Sequence, residues 1–332
     1  MRLQLKNISI IKEADINLDG LTVIAGKNDT GKSTVGKVLY ALIKSINIAN
    51  NTHAIESMND WYKTKFNSYI KKLFKNQLSN NGTILLNYEN VDYSLKIEHN
   101  FCKEFHISEK ITPIGMTLNT PLLIETPFIW SLYPLLKTLK NVEHQIPEMD
   151  NIDFEIPLVV QDLYYALSVK YKEKESIELD IKDIIDGQFV VDNFGNFIFN
   201  KNGENIELIN TAMGIKYFGI FQVLLNNNHF YKGQILILDE PEVHLHPSWQ
   251  LKLAQIIVKL VKYGLKVILN SHSPYMIEAL QRYAQKAEIN NNFYLANEGI
   301  IMEDEKSLSR IFEKLSEPFR EFDKMDSEIF HA

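Results

Sequence analysis

The chain has 332 residues, 45% of them hydrophobic and 23% charged, the proportions of an ordinary folded protein and not of a disordered one. A formal net charge of −7 leaves no overall basic field to recruit nucleic acid, so only a local basic patch stays open as such a surface. The single cysteine, Cys102, excludes an intramolecular disulfide and a cysteine-cluster metal site, and it suits a reducing cytoplasm.

Met1–Ile10 alternates polar and apolar residues instead of presenting a signal peptide's unbroken apolar core. Leu3, Leu5, Ile8 and Ile10 predict an alternating edge strand, Ala14–Leu18 continues the pattern, and Leu21–Ala25 is a short apolar run of the buried-strand kind. A glycine-rich turn leads into a helix from about Gly31 to Ser45, with Val35, Val38, Leu39, Leu42 and Ile46 on one face. Met58–Leu78 reads as a Lys-rich helix. Thr83–Tyr88, Tyr93–Glu98 and Phe101–Ile107 read as an antiparallel meander, and Pro121–Glu125 as another short buried strand. The most apolar stretch, Pro121–Leu136, is broken by Glu125, Pro127 and Pro134, so no membrane span is expected and the protein is expected to be soluble and cytoplasmic.

From Phe128 to about Ile185 the pattern turns mainly helical, punctuated by Pro134, Pro147 and Pro157. Gln188–Asp192 and Asn196–Asn200 flank Asn193-Phe194-Gly195 as a hairpin. From Ile206 onward helices and strands alternate, with Ile235–Leu238 and Lys266–Leu269 as doubly buried parallel strands and Pro247–Tyr263 as the amphipathic helix between them. Asn226–Asn228 and Asn290–Asn292 read as loops. The expected fold is α/β, a mixed sheet core with an antiparallel β subdomain and an inserted helical lid or arm at about 128–186.

Two features carry chemistry. Gly26-Lys27-Asn28-Asp29-Thr30-Gly31-Lys32-Ser33 matches G-x-x-x-x-G-K-[ST], with a buried strand before it and a helix after it. Such a loop turns backbone N–H groups inward around an anion, and the helix start adds its positive dipole end. Lys32 supplies a charge for the β- and γ-phosphates of ATP, the Ser33 hydroxyl is placed to ligate Mg²⁺, and Thr34 is counted with the cofactor-binding run. The second feature is Ile235–Leu238 followed by Asp239 and Glu240: two carboxylates at the C-terminal end of an apolar strand, where open α/β sheets bind ligands. There Asp239 holds Mg²⁺, directly or through water, and Glu240 orients or deprotonates the attacking water.

The run Leu236-Ile237-Leu238-Asp239-Glu240-Pro241-Glu242-Val243-His244-Leu245-His246-Pro247 resembles the Walker B segment of the SMC/OLD-like branch of ABC-type P-loop ATPases, the overcoming-lysogenization-defect group and its defence-system relatives. Asn270-Ser271-His272-Ser273-Pro274 is similar to that branch's switch-histidine segment. The resemblance spans about residues 1–45 and 205–300. It implies one ABC/SMC-type head over 1–332, with His272 as γ-phosphate sensor beside Lys32, Ser33, Asp239 and Glu240. It also implies a homodimer sandwiching ATP, and a separate effector protein in anti-phage defence. The family's signature motif, which contacts the partner's ATP, has its nearest counterpart in Asn210–Lys216: Gly214 stands where backbone approaches phosphate, but Ala212 or Thr211 stands where serine is usual. The alternative for this segment is a helix start capped by Asn210 or Thr211. The segment after Asn297 is expected to be too short for a toprim nuclease domain.

Other residues are weighed against plainer roles. His244 and His246 alternate like a metal pair, but without a third ligand at helical spacing a turn or a partner-facing loop is expected. Lys63, Lys65, Lys71, Lys72 and Lys75 suit either a nucleic-acid backbone or a solvated helix face. Trp61, Tyr62 and Tyr69 are stacking platforms only if exposed and core otherwise. Two further functions stay open: an ATP-gated scaffold with negligible turnover, and a DNA-repair ATPase of the RecF kind.

Overall fold

Unbroken apolar runs and strict alternation mark two kinds of strand, and both join one sheet. A computed structural model describes residues 1–51, 58–108, 120–143, 156–172, 177–303, 307–316, 322 and 325. The alternating strands are β1 (Arg2–Ile8), β2 (Ile11–Asn17), β4 (Asn81–Tyr88), β5 (Val91–Glu98) and β6 (Phe101–Ile107). The apolar ones include β3 (Leu21–Ala25), β7 (Leu122–Ile124), β11 (Ile235–Asp239) and β12 (Lys266–Ser271). With β13 (Asn291–Asn297) and β14 (Ile300–Met302) they form an eleven-stranded sheet in the order β6-β5-β4-β1-β2-β14-β13-β3-β12-β11-β7. The expected antiparallel subdomain is therefore a wing of the central sheet.

β13, β3, β12, β11 and β7 run parallel, and every residue of β3 is buried, as a strand covered on both faces requires. Helix α1 (Lys32–Asn51) follows β3 and buries Val35, Val38, Leu39, Leu42 and Ile46, the face read from the sequence. In the wing, β4 and β5 bury alternate residues beneath α2 (Met58–Phe74), where Tyr62 stacks on Phe105 at 5.2 Å between centroids.

Helices α3 (Ile129–Glu143), α4 (Leu158–Ser168) and α5 (Ile181–Ile185) occupy the described part of the expected insertion; Pro147 lies outside the described residues. A small antiparallel sheet follows, β10-β9-β8, from β8 (Gln188–Val191), β9 (Phe197–Lys201) and β10 (Glu204–Glu207). Its first turn is the expected hairpin, closed by Asp192 Oδ1 accepting from the amides of Phe194 and Asn196, each at 2.8 Å. Trp130, Tyr133, Tyr164, Phe189 and Phe197 pack edge and face between the helices and this sheet. Asp162 of α4 accepts from both Tyr40 and Lys44 of α1, tying the insertion to the helix that carries the glycine-rich loop. Then come α6 (Met213–Asn226), α7 (Pro247–Tyr263), α8 (Pro274–Ala287) and α9 (Ser307–Leu315).

Four local expectations need correction. β1 is an interior strand, paired with β2 on one side and β4 on the other, because the distant meander supplies its second neighbour. The second helix stops at Phe74, since Lys75 and Asn76 turn into left-handed backbone. Ile206 lies in β10, and the following helix starts at Met213. Asn291 and Asn292 open β13: backbone pairing with β3 outweighs their weak strand preference, while their side chains donate to the carbonyls of Ile289 and Asp19. Among the described residues no helix is long and apolar enough to cross a membrane.

Candidate functional site

The C-terminal ends of β3, β11, β12 and β7 point the same way, so the turns that follow them share one edge of the sheet. After β3 comes the turn from Gly26, Lys27, Asn28, Asp29 and Thr30 to Gly31, then α1 begins with Lys32, Ser33 and Thr34. A side chain at Gly26 would lie 2.4 Å from the Ala296 carbonyl oxygen, and Gly31 adopts φ 94°, so neither position admits another residue without strain. Lys32 is buried, its Nζ donating to the carbonyls of Gly26 at 2.9 Å and Lys27 at 2.6 Å. Burial holds this ammonium below its ordinary pKa, against the opposing pull of Glu240, Asp239 and Glu242.

Ser33 Oγ lies 3.0 Å from Asp239 Oδ1 at the end of β11, and the same oxygen accepts from Asn270 Nδ2 at 2.9 Å. The next residue, Glu240, adopts φ 48°, a sparsely populated conformation held by its amide's bond to the Asn270 carbonyl at 3.0 Å. Beyond β12, His272 Nδ1 stands 3.5 Å from Glu240 Oε1 and 3.5 Å from Glu242 Oε1. Ser33, Glu125, Thr126, Pro127, Tyr217, Asp239, Glu240, Val243 and His244 line a cleft of about 280 Å³. The hydroxyl and carboxylate that meet at Ser33 and Asp239 are hard oxygen donors, the set Mg²⁺ takes when substrate phosphates and water complete its shell. Among the described residues no cluster of three or more His, Cys, Asp or Glu side chains could hold a metal by itself.

Gly214, the signature candidate, is buried. It lies in the first turn of α6, where a side chain would meet the Trp249 ring at 3.0 Å and Leu245 at 3.2 Å. Neither Asn210 nor Thr211 caps this helix: the N-cap position is Ala212, which provides no side-chain hydrogen bond. His246 is the N-cap of α7, its Nδ1 accepting from the Ser248 amide, so turn structure accounts for it. Tyr62 is core and so is no stacking platform, while Lys63 pairs with Asp60 and Lys65 lies over the Trp61 ring.

Sequence reasoning passed over Asn270, Tyr217, Glu125 and Glu242. Glu125 follows β7 and pairs with Lys37 at 3.0 Å; its place after a parallel strand was the available signal. Tyr217 is wholly enclosed, and burial first, then the charges of Glu242 and Asp239, push its hydroxyl well above its ordinary pKa. Nothing in its own segment marks it.

Residues 119–278, just under half of the chain, match the family described as "AAA domain, putative AbiEii toxin, Type IV TA system". The solved SMC head bound to the C-terminal winged-helix domain of ScpA aligns over 93% of this chain and 98% of that one, at 15% identity and a TM-score of 0.53. This chain has the fold of an SMC head. A Pyrococcus furiosus SMC head with an extended coiled coil aligns over 95% of this chain and 98% of that one, at 13% identity and a TM-score of 0.49. The Septu protein PtuA of Bacillus thuringiensis is 43% identical over 49 residues, 15% of this SMC-type head. That match spans only 12% of the PtuA chain. Family, fold and PtuA segment together bear out the resemblance to the SMC/OLD-like branch that the three motifs carried.

Proposed function

We propose that this SMC-type head binds and hydrolyses Mg-ATP, and that two copies close around two nucleotides. The observation that carries the reading is the meeting of Ser33 and Asp239 at 3.0 Å, with Glu240 and His272 beside them. Gly26, Lys27, Asn28, Asp29, Thr30 and Gly31 wrap the phosphates with backbone amides, while Lys32 neutralises the β- and γ-phosphates and Thr34 lies at the helix start. Ser33 and Asp239 would hold Mg²⁺, which when bound would offset the charge developing on the phosphates. Glu240 accepts the proton of the water that attacks the γ-phosphorus, as the bond to the β–γ bridging oxygen breaks and ADP leaves. His272 turns Nδ1 toward the carboxylates, which leaves Nε2 for a γ-phosphate oxygen.

No N-cap side chain bonds the start of α6, and its first backbone N–H groups, around the buried Gly214, are those that would meet a phosphate of the partner subunit's ATP. On this reading the head is one unit over 1–332 with an inserted helical subdomain at about 128–186, and closure of the dimer is passed to a separate effector. The resemblance to defence-system ATPases and the PtuA segment support a role in anti-phage defence.

Multiple-turnover phosphate release by the purified protein, lost in Glu240→Gln while ATP binding persists, is the test. Ala212 in place of serine favours a second reading, an ATP-gated scaffold. ATP binding with equal silence in wild type and Glu240→Gln selects the scaffold.

A further inference from the structure

Glu242 has no part in the chemistry assigned to the three motifs, yet its side chain is only 3% exposed. A buried carboxylate is costly unless hydrogen bonds compensate it. One of its oxygens, Oε1, takes nearly all of that compensation: it accepts from Ser271 Oγ at 2.7 Å, the His272 amide at 2.9 Å and the Ser273 amide at 3.2 Å. Among the described residues Oε2 has no hydrogen-bond partner. The donors are three consecutive residues, the last of β12 and the two that lead from it into α8, and His272 is the middle one. Ser273 in turn caps α8 and donates to Gln250 Oε1 at 2.6 Å, so the turn is fixed on its far side as well.

We propose that Glu242 is the positioning residue for His272: it gathers the β12–α8 turn onto the turn that carries Glu240, so that the water-activating carboxylate and the phosphate sensor are held as one rigid pair. The inference rests on the proposed reading of His272 as the γ-phosphate sensor. Its physical content is reach and not charge, because the donors converge on one oxygen at a set distance from the backbone. An amide oxygen at the same place accepts the same three bonds, whereas a carboxylate one methylene shorter falls short of them.

Two variants of the full-length protein separate reach from charge. Glu242→Gln keeps the reach and is expected to retain turnover within about threefold. Glu242→Asp keeps the charge and is expected to lower kcat about 10- to 100-fold, as misplacing a reacting group does, with ATP affinity unchanged. In a His272→Ala background Glu242→Asp is expected to cost little more, because the two act as a unit. Hydrogen exchange at the His272 and Ser273 amides gives a readout independent of activity: protection kept in the glutamine variant and lost in the aspartate variant.

Unchanged protection of both amides in Glu242→Asp overturns the proposal, and so does a glutamine variant as impaired as the aspartate one. Equal losses from Glu242→Asp with and without His272 overturn the route through the histidine. A wild type that binds ATP but releases no phosphate overturns the hydrolysis reading alone, since amide protection still decides whether Glu242 holds the turn.

Discussion

Ser33 and Asp239 are 206 positions apart in the chain, yet the serine hydroxyl donates to the aspartate at 3.0 Å. The parallel strands β3, β12 and β11 bring them together, since each ends at the same edge of the sheet. A hydroxyl and a carboxylate so close could supply part of a hard-cation site, and the ATP phosphates would supply more of it. Asp239→Asn weakens that site while preserving shape. The rise in Tm that ATP produces with Mg²⁺ should then fall to the value seen with a chelator. An undiminished Mg²⁺ effect would remove Asp239 from the metal's shell.

Lys32 is buried among backbone carbonyls with its ammonium held below its ordinary pKa by desolvation, a cost that a bound triphosphate would offset. Lys32→Ala should weaken ATP binding by about 100-fold or more, the scale of losing one charge from a buried ionic contact. Calorimetric titration checks it, with unfolding midpoints reporting that the fold persists. Unaltered affinity would count against the glycine-rich loop as the nucleotide site.

Glu240→Gln should retain ATP binding and slow phosphate release by about 100- to 1000-fold, the usual worth of a positioned general base. With turnover blocked, ATP should hold the protein as a dimer in sedimentation experiments. Gly214→Ala should act differently. Its new methyl group meets the Trp249 ring at 3.0 Å and displaces the start of α6, so one subunit still binds ATP while dimer formation and turnover fall together. Full turnover in Gly214→Ala would exclude the signature role.

Asp162→Ala should destabilise the protein by about 2 kcal/mol, because Tyr40 and Lys44 would lose their shared acceptor in a partly buried place. Urea unfolding measures this. ATP affinity should barely change if the contact serves only to seat α4 on α1.

His229 sets a pH dependence. Burial lowers its pKa below 6.5, opposed by the 2.8 Å bond its Nε2 makes with the Val169 carbonyl. The folded state therefore favours the neutral ring, and the unfolded chain takes up the proton first as the solution is acidified. The stability this provides is full above pH 6.5 and is lost as pH falls toward the folded-state pKa. Unfolding free energies at about pH 7.5 and about pH 5.5 should differ more for wild type than for His229→Gln, which keeps an N–H donor for Val169. An identical pH response in both would assign the effect to other groups.

Local order alone marked the glycine-rich pattern suited to a phosphate and most of the strands and helices, though not all of their bounds. Gly26–Ser33 needs only its own glycines and the flanking strand and helix, and Ile235–Asp239 shows its buried run and terminal charge within a few residues. The packing face of α1 follows from helical period, a property of neighbours in the chain. What pairs with what could not be read this way. That β1 is interior, that Asn291 and Asn292 are strand, and that Tyr217 and Glu242 stand beside Asp239 and His272 depend on segments far apart in the chain. Glu242 was in view as a third carboxylate after Asp239 and Glu240, but a buried acid and a solvated one are spelled alike. Only the folded chain, by bringing Ser271, His272 and Ser273 onto a single oxygen, decides which it is.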